Sequence, residues 1–220
     1  MAKKEQAKIE QNLIDFIYES FVKSLYKSGE ITIEDFDDTA KLKKKLLKLN
    51  SKTEYKIVVS HTEDLLKTAR EFRDKDDSNK AKLFYATYFE HELNDLIIEL
   101  TQKKNIDKKT TTDIIKSVTI IGKLTWLLSI LGATKFSEIH KNIILKIADE
   151  RNTFVHYKYN PENDDFKSTS QEKDNNLKKI EGFKKIENAI TYLKKYKSRI
   201  LFNGNKTHIE NKLKAKNKQP

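Results

Sequence analysis

In this 220-residue chain, the side chains best suited to chemistry concentrate in Asp149-Glu150-Arg151-Asn152-Thr153-Phe154-Val155-His156-Tyr157. At helical spacing, Ile144, Ala148, Arg151 and Val155 fall on one stripe, which sets a cation among apolar positions. Arginine is almost never fully buried unless paired, because stripping its hydration costs several kcal/mol. Arg151 therefore either meets a carboxylate or faces a groove that accepts anions. Glu90, which borders an apolar stripe of its own helix, is the candidate carboxylate. Asn152 and His156 lie four apart and can touch, an arrangement that holds the imidazole in one orientation. A guanidinium fork that grips phosphate beside an oriented imidazole suits phosphodiester chemistry.

The other candidates carry less. His91-Glu92-Leu93-Asn94-Asp95 begins like a zinc-protease motif but lacks the second His, so ordinary helix polarity accounts for it. His61 and His140 read as surface residues, and Trp126, set among Leu and Ile, reads as core. The chain has no Gly-rich phosphate loop, which argues against a nucleoside-triphosphate motor or kinase. It has no cysteine, so disulfides and thiolate metal sites are excluded. No cofactor and no metal are expected. Tyr192 and Tyr196 lie among Lys194, Lys195, Lys197 and Arg199. Stacking on RNA bases is one reading there, and core packing is favoured for at least one of the two.

The elements that must position these residues are helical. Only seven residues are Gly or Pro, too few for the tight turns of a sandwich or barrel. The first helix spans about 4–27 with the stripe Ile9, Leu13, Phe16, Ile17, Phe21 and Leu25, and a second spans about 33–49. Ser60-His61-Thr62-Glu63 reads as a capping box that opens a helix through about Phe72. The stretch from about 80 to 102 carries Tyr85, Phe89, Leu93, Leu96 and Leu100 on one side. Thr110-Thr111-Thr112-Asp113 reads as the cap of the next region, and Ser137 as the cap of a helix reaching about Tyr157. A loop follows over 160–168. A last helix from about 171 to 201 carries Ile180, Phe183, Ile186, Ile190, Leu193 and Ile200 on one face. The expectation is an all-α fold. It comprises an N-terminal helical extension (1–77), a bundle of about four core helices (78–201) and a flexible basic tail (202–220).

The Arg-Asn-Thr-Phe-Val-His run, led in by Ile147-Ala148-Asp149-Glu150 near the end of the penultimate core helix, resembles the signature of the HEPN superfamily (higher eukaryotes and prokaryotes nucleotide-binding). The upstream segment Phe84-Tyr85-Ala86-Thr87-Tyr88-Phe89-Glu90-His91-Glu92-Leu93 resembles the long first core helix of that fold. The likeness covers about residues 78–201. It implies a four- to five-helix bundle that forms a homodimer, bringing two Arg/His pairs into one cleft. Many members are metal-independent endoribonucleases, and many bacterial ones act in toxin–antitoxin or phage-defence systems. By that resemblance Arg151 stabilises the phosphorane-like transition state, His156 is the acid or base, and Asn152 orients one of these groups. Tyr157, Lys158 and Glu90 are the expected substrate-side residues. The chain departs from some toxin members, which carry Tyr two residues after the His; here Lys158 holds that place and Tyr157 is adjacent.

The net charge of +11 is uneven along the chain. Residues 1–166 hold 29 basic against 28 acidic residues, whereas 167–220 hold 15 against 5. That segment reads as a surface for polyanions, with a Lys-rich background composition as the plainer account. Deletion from about Asn205 is accordingly expected to weaken RNA binding while leaving the fold intact. The expected partners are RNA, a second copy of the chain, and a cognate antitoxin or nucleotidyltransferase. The contrasting reading is a catalytically silent helical module that binds RNA or a protein through its basic C-terminal helix. No apolar run approaches the roughly 18 residues of a membrane helix. The opening Met-Ala-Lys-Lys-Glu-Gln lacks the apolar segment of a signal peptide, so a cytoplasmic location with no membrane partner is expected.

Overall fold

Apolar residues recurring every three to four positions have one economical solution, a helix whose stripe is buried against other helices. The computed structural model describes residues 2–50, 61–155 and 169–216. Among them every regular element is helical and no strand occurs. The long helices are α1 (Ala2–Ser28), α2 (Thr39–Asn50), α3 (Thr62–Asp74), α4 (Ser78–Lys103), α5 (Lys108–Ser117), α8 (Glu138–Val155), α9 (Thr169–Phe202) and α10 (Lys206–Lys216). Between α5 and α8 the chain makes an α-turn α6 (Ile120–Gly122), a π-helical segment (Lys123–Leu127) and a second α-turn α7 (Leu128–Ile130). None of these helices is long and apolar enough to cross a membrane.

The residues group into two compact units. One comprises residues 59–98 and 107–197, the other 1–58, 99–106 and 198–220. In the first unit, α4 places Tyr85, Phe89, Leu93 and Leu96 fully in the core, as its stripe requires. Phe72 of α3 stacks on Phe84 at 5.5 Å between ring centres, and Tyr85 leans on Phe183 of α9 at 6.1 Å. A charged cluster ties the same three helices. Glu187 accepts hydrogen bonds from Arg70 (2.7 and 3.0 Å), Arg73 (3.1 Å) and the Tyr85 hydroxyl (2.8 Å).

The second unit is built around Tyr26. Its ring stacks on Phe202 at 6.1 Å and meets Phe36 edge-on at 6.3 Å, and its hydroxyl accepts from Asn205 at 3.1 Å. Gly29, at φ +83°, ends α1 in the left-handed region that favours glycine. Where one helix was expected over 33–49, a 3₁₀ turn at Glu34–Phe36 precedes α2. Local carboxylates are the cause. Buried Asp35 accepts from the Thr32 amide (2.8 Å) and the Lys45 ammonium (2.6 Å), and Asp38 accepts from the Lys41 amide to start α2.

Several expectations change. Only the C-terminal end of the α1 stripe is buried: Leu25 packs in the core with Val22 and Tyr26, whereas Ile9, Leu13, Phe16 and Ile17 are exposed. Residues 206–216, expected within a flexible tail, form α10, because Ile209 and Leu213 one turn apart are both buried. α3 begins at Thr62 with His61 at its N-cap and no side-chain cap bond, and Ser60 lies outside the described residues. Asp107, not the Thr110–Asp113 run, caps α5, by accepting from the Thr110 amide. Ile180 of the α9 stripe is exposed. Trp126, expected in the core, is half exposed. Leu124, Leu127, Leu128 and Leu131 take the inward stripe, and Trp126 turns out over Gly122. A Cβ at Gly122 would come within 2.8 Å of Val118 and 3.1 Å of the Trp126 indole nitrogen, so the ring packs where only glycine leaves room.

Candidate functional site

α8 carries Arg151 from the core toward the surface. Ile144 and Ala148, earlier on its stripe, are buried, while Val155 after it is more than half exposed. Arg151 sits at the boundary, with its side chain about one-quarter exposed. There its Nη1 donates to Glu90 Oε2 of α4 at 3.3 Å, the long end of a charge-assisted bond. Its buried Nε has no hydrogen-bond partner among the described residues. Next to it on α8, Glu150 pairs with Lys82 of α4 at 2.8 Å. That pair helps fix the register in which Arg151 reaches Glu90.

The sequence reading missed a second cation at this place. Lys123, in the π segment, is only 2% exposed, and among the described residues no other Lys or Arg is buried so deeply. Its Nζ donates to Asn94 Oδ1 at 2.8 Å. Asn94 lies one turn after Glu90 on α4, so the two share a face of that helix. Burial pushes the Lys123 amine below its ordinary range, and the Glu90 carboxylate draws it back in part. The π segment is closed by the Leu128 amide bonding to the Lys123 carbonyl, and such turns recur at functional sites. A signal for Lys123 did exist in the sequence. It is the one charged residue between Lys116 and Lys135, in an otherwise uncharged stretch.

The structure thus brings Glu90 and Arg151 together and adds Lys123 and Asn94. Asn152 follows Arg151 on α8 and is half-buried. His156, Tyr157 and Lys158 lie outside the described residues. The remaining sequence candidates find structural work in the first unit. Tyr196 is buried and donates to the Thr134 carbonyl, and the Tyr192 hydroxyl accepts from the Ser137 amide at 2.9 Å. His140, expected at the surface, is half-buried. It stacks on Tyr192 at 4.3 Å, and burial lowers its pKa. His61 is exposed beside Asp64.

Chemically the arrangement has donors with which it can receive an anion. Two cations and one carboxylate leave a net positive charge in a partly dry setting, and most of the guanidinium donors are uncommitted among the described residues. Set against known protein families, curated proteins and solved structures, the chain matches none of them.

Proposed function

We propose that the chain is a metal-independent endoribonuclease whose phosphate clamp is Arg151. The observation that carries this reading is the state of that guanidinium: one long contact to Glu90 and a buried Nε with no partner among the described residues. A guanidinium left this way at the edge of the core keeps donors open to an incoming anion. The next residue in the sequence after Val155, which ends α8, is His156, and an imidazole has the right chemistry for proton transfer.

In the proposed reaction the ribose 2′-oxygen bonds to the adjacent phosphorus and the bond from phosphorus to the 5′-oxygen breaks. One group takes the 2′-hydroxyl proton and another supplies a proton to the departing oxygen. Arg151 meets the charge that develops on the non-bridging oxygens. His156 supplies one of the two proton transfers. A second copy of the chain supplies the other, which is why a homodimer belongs to the proposal. A role as a toxin or phage-defence effector, countered by an antitoxin or nucleotidyltransferase, fits the likeness of the Arg-Asn-Thr-Phe-Val-His run to the HEPN signature. The reading also places the protein in the cytoplasm, where its RNA is.

The test is RNA cleavage by purified protein. Arg151→Ala should lower turnover by about 10²–10³-fold, the usual loss on removing one donor to a developing oxyanion. His156→Ala should abolish turnover but leave RNA affinity nearly unchanged. Cleavage that survives both substitutions would refute the proposal. Should the chain bind RNA yet never cut it, the silent binding module is the better account.

A further inference from the structure

Lys123 is placed where a lysine is least comfortable. It is buried, its partner Asn94 carries no net charge, and an ammonium has three donors to satisfy. The carboxylate whose charge acts on it is Glu90, one turn before Asn94 on the same face of α4. Glu90 is also where Arg151 rests. One carboxylate therefore answers to two cations that arrive from different elements, the π segment and α8.

The two cations differ in freedom. Lys123 is enclosed and tethered to Asn94, whereas Arg151 lies at the surface boundary on a single long contact. An arriving phosphate that takes the Nη1 donor draws Arg151 from Glu90. Without another cation, that leaves a bare carboxylate beside the incoming anion, an arrangement that opposes binding. We propose that Lys123 is a positioning residue: it is the standing counter-ion of Glu90, which makes the Arg151 guanidinium transferable from Glu90 to a phosphodiester. The inference rests on Arg151 as the phosphate clamp. It adds that the Arg151–Glu90 pair is a resting contact and that Lys123 sets how readily it opens.

The experiment is a double-substitution cycle read by binding of a 2′-O-methyl RNA oligonucleotide at fixed salt, a probe whose blocked 2′-oxygen cannot react. Lys123→Gln removes the charge while keeping an N–H donor on a side chain one bond shorter. It should weaken binding about tenfold, within the range for coupled neighbours. Glu90→Gln alone should change affinity several-fold less than it does in the Lys123→Gln background, because the Lys123 charge offsets that carboxylate in the otherwise unaltered chain. In the Lys123→Gln background the same Glu90→Gln change should restore about tenfold. With Arg151→Ala present the coupling should vanish. Equal effects of Glu90→Gln in both backgrounds, with Arg151→Ala still weakening binding, would overturn the role of Lys123 and leave the clamp standing. If Arg151→Ala leaves binding unchanged, the clamp itself falls and Lys123 with it. Should variants at Lys123 fail to fold, Glu90→Gln in the otherwise unaltered chain still decides: a tightening of about tenfold would mean that Lys123 does not cover Glu90.

Discussion

Glu187 and Glu90 hold their cations in opposite ways. Glu187 is fully engaged, with Arg70, Arg73 and Tyr85 occupying both its oxygens. Burial pushes its carboxyl up, but the bond from Arg70, the bond from Tyr85 and the two guanidinium charges more than offset this, so its folded pKa lies below the ordinary glutamate value. A depressed folded pKa means stability that is present above the unfolded value, about 4.3, and is lost as pH falls through the folded value. Glu187→Gln should therefore cost about 1–3 kcal/mol at neutral pH, and its deficit should shrink in acid as the wild type loses the same contribution. Urea unfolding at pH 7 and pH 3 measures this; an equal deficit at both would mean that the charge is not what holds the cluster. Glu90, by contrast, has one long bond and a half-free partner. The stripe through Ile144, Ala148 and Arg151 was enough to say that Arg151 needs a carboxylate or an anion. It could not say that Lys123 joins them, because an isolated lysine ahead of a Leu-rich run reads equally well as the solvated edge of a helix.

At the scale of elements, periodicity marks a helix more reliably than it marks which part of the helix is covered. The α4 stripe is buried along its length because helices pack around it, and residues 9–17 of α1 keep the same spacing yet stay exposed. Spacing carries no information about whether a neighbour exists. The reverse holds for α10. Its lysines dominate its composition, and the two apolar residues that dock it, Ile209 and Leu213, are too few to stand out. The prediction is a contrast between these two helices. Phe16→Ala should shift stability by no more than about 0.5 kcal/mol, as at other exposed sites. Leu213→Ala should cost about 2–5 kcal/mol, and deletion from Asn205 should act first as a folding defect and only then as a loss of charge. Thermal melts of the three variants check this, and a wild-type melt for Leu213→Ala would contradict it. The π segment was invisible for a different reason. One extra residue in a turn leaves the apolar pattern of Leu124, Leu127, Leu128 and Leu131 intact, so nothing in the spacing flags it.

Over the whole molecule, charge that is segregated along the sequence is less so in space. Lysines of the basic C-terminal segment pair with carboxylates from elsewhere: Lys179 with Asp76, Lys194 with Glu63, Lys197 with Glu92 and Lys212 with Asp37. Four of the segment's fifteen basic residues are thereby engaged in pairs with carboxylates outside it, each exposed pair worth about 0–1 kcal/mol. The reaction proposed for the Arg151 region is cleavage of RNA through the ribose 2′-oxygen without a metal. The direct measurement is end-group analysis of RNA incubated with the protein in excess EDTA. Cleavage should be undiminished, should leave a 2′,3′-cyclic phosphate and a 5′-hydroxyl, and should fall about 10²–10³-fold with Arg151→Ala. Cleavage abolished by EDTA, or products carrying a 5′-phosphate, would contradict the proposal.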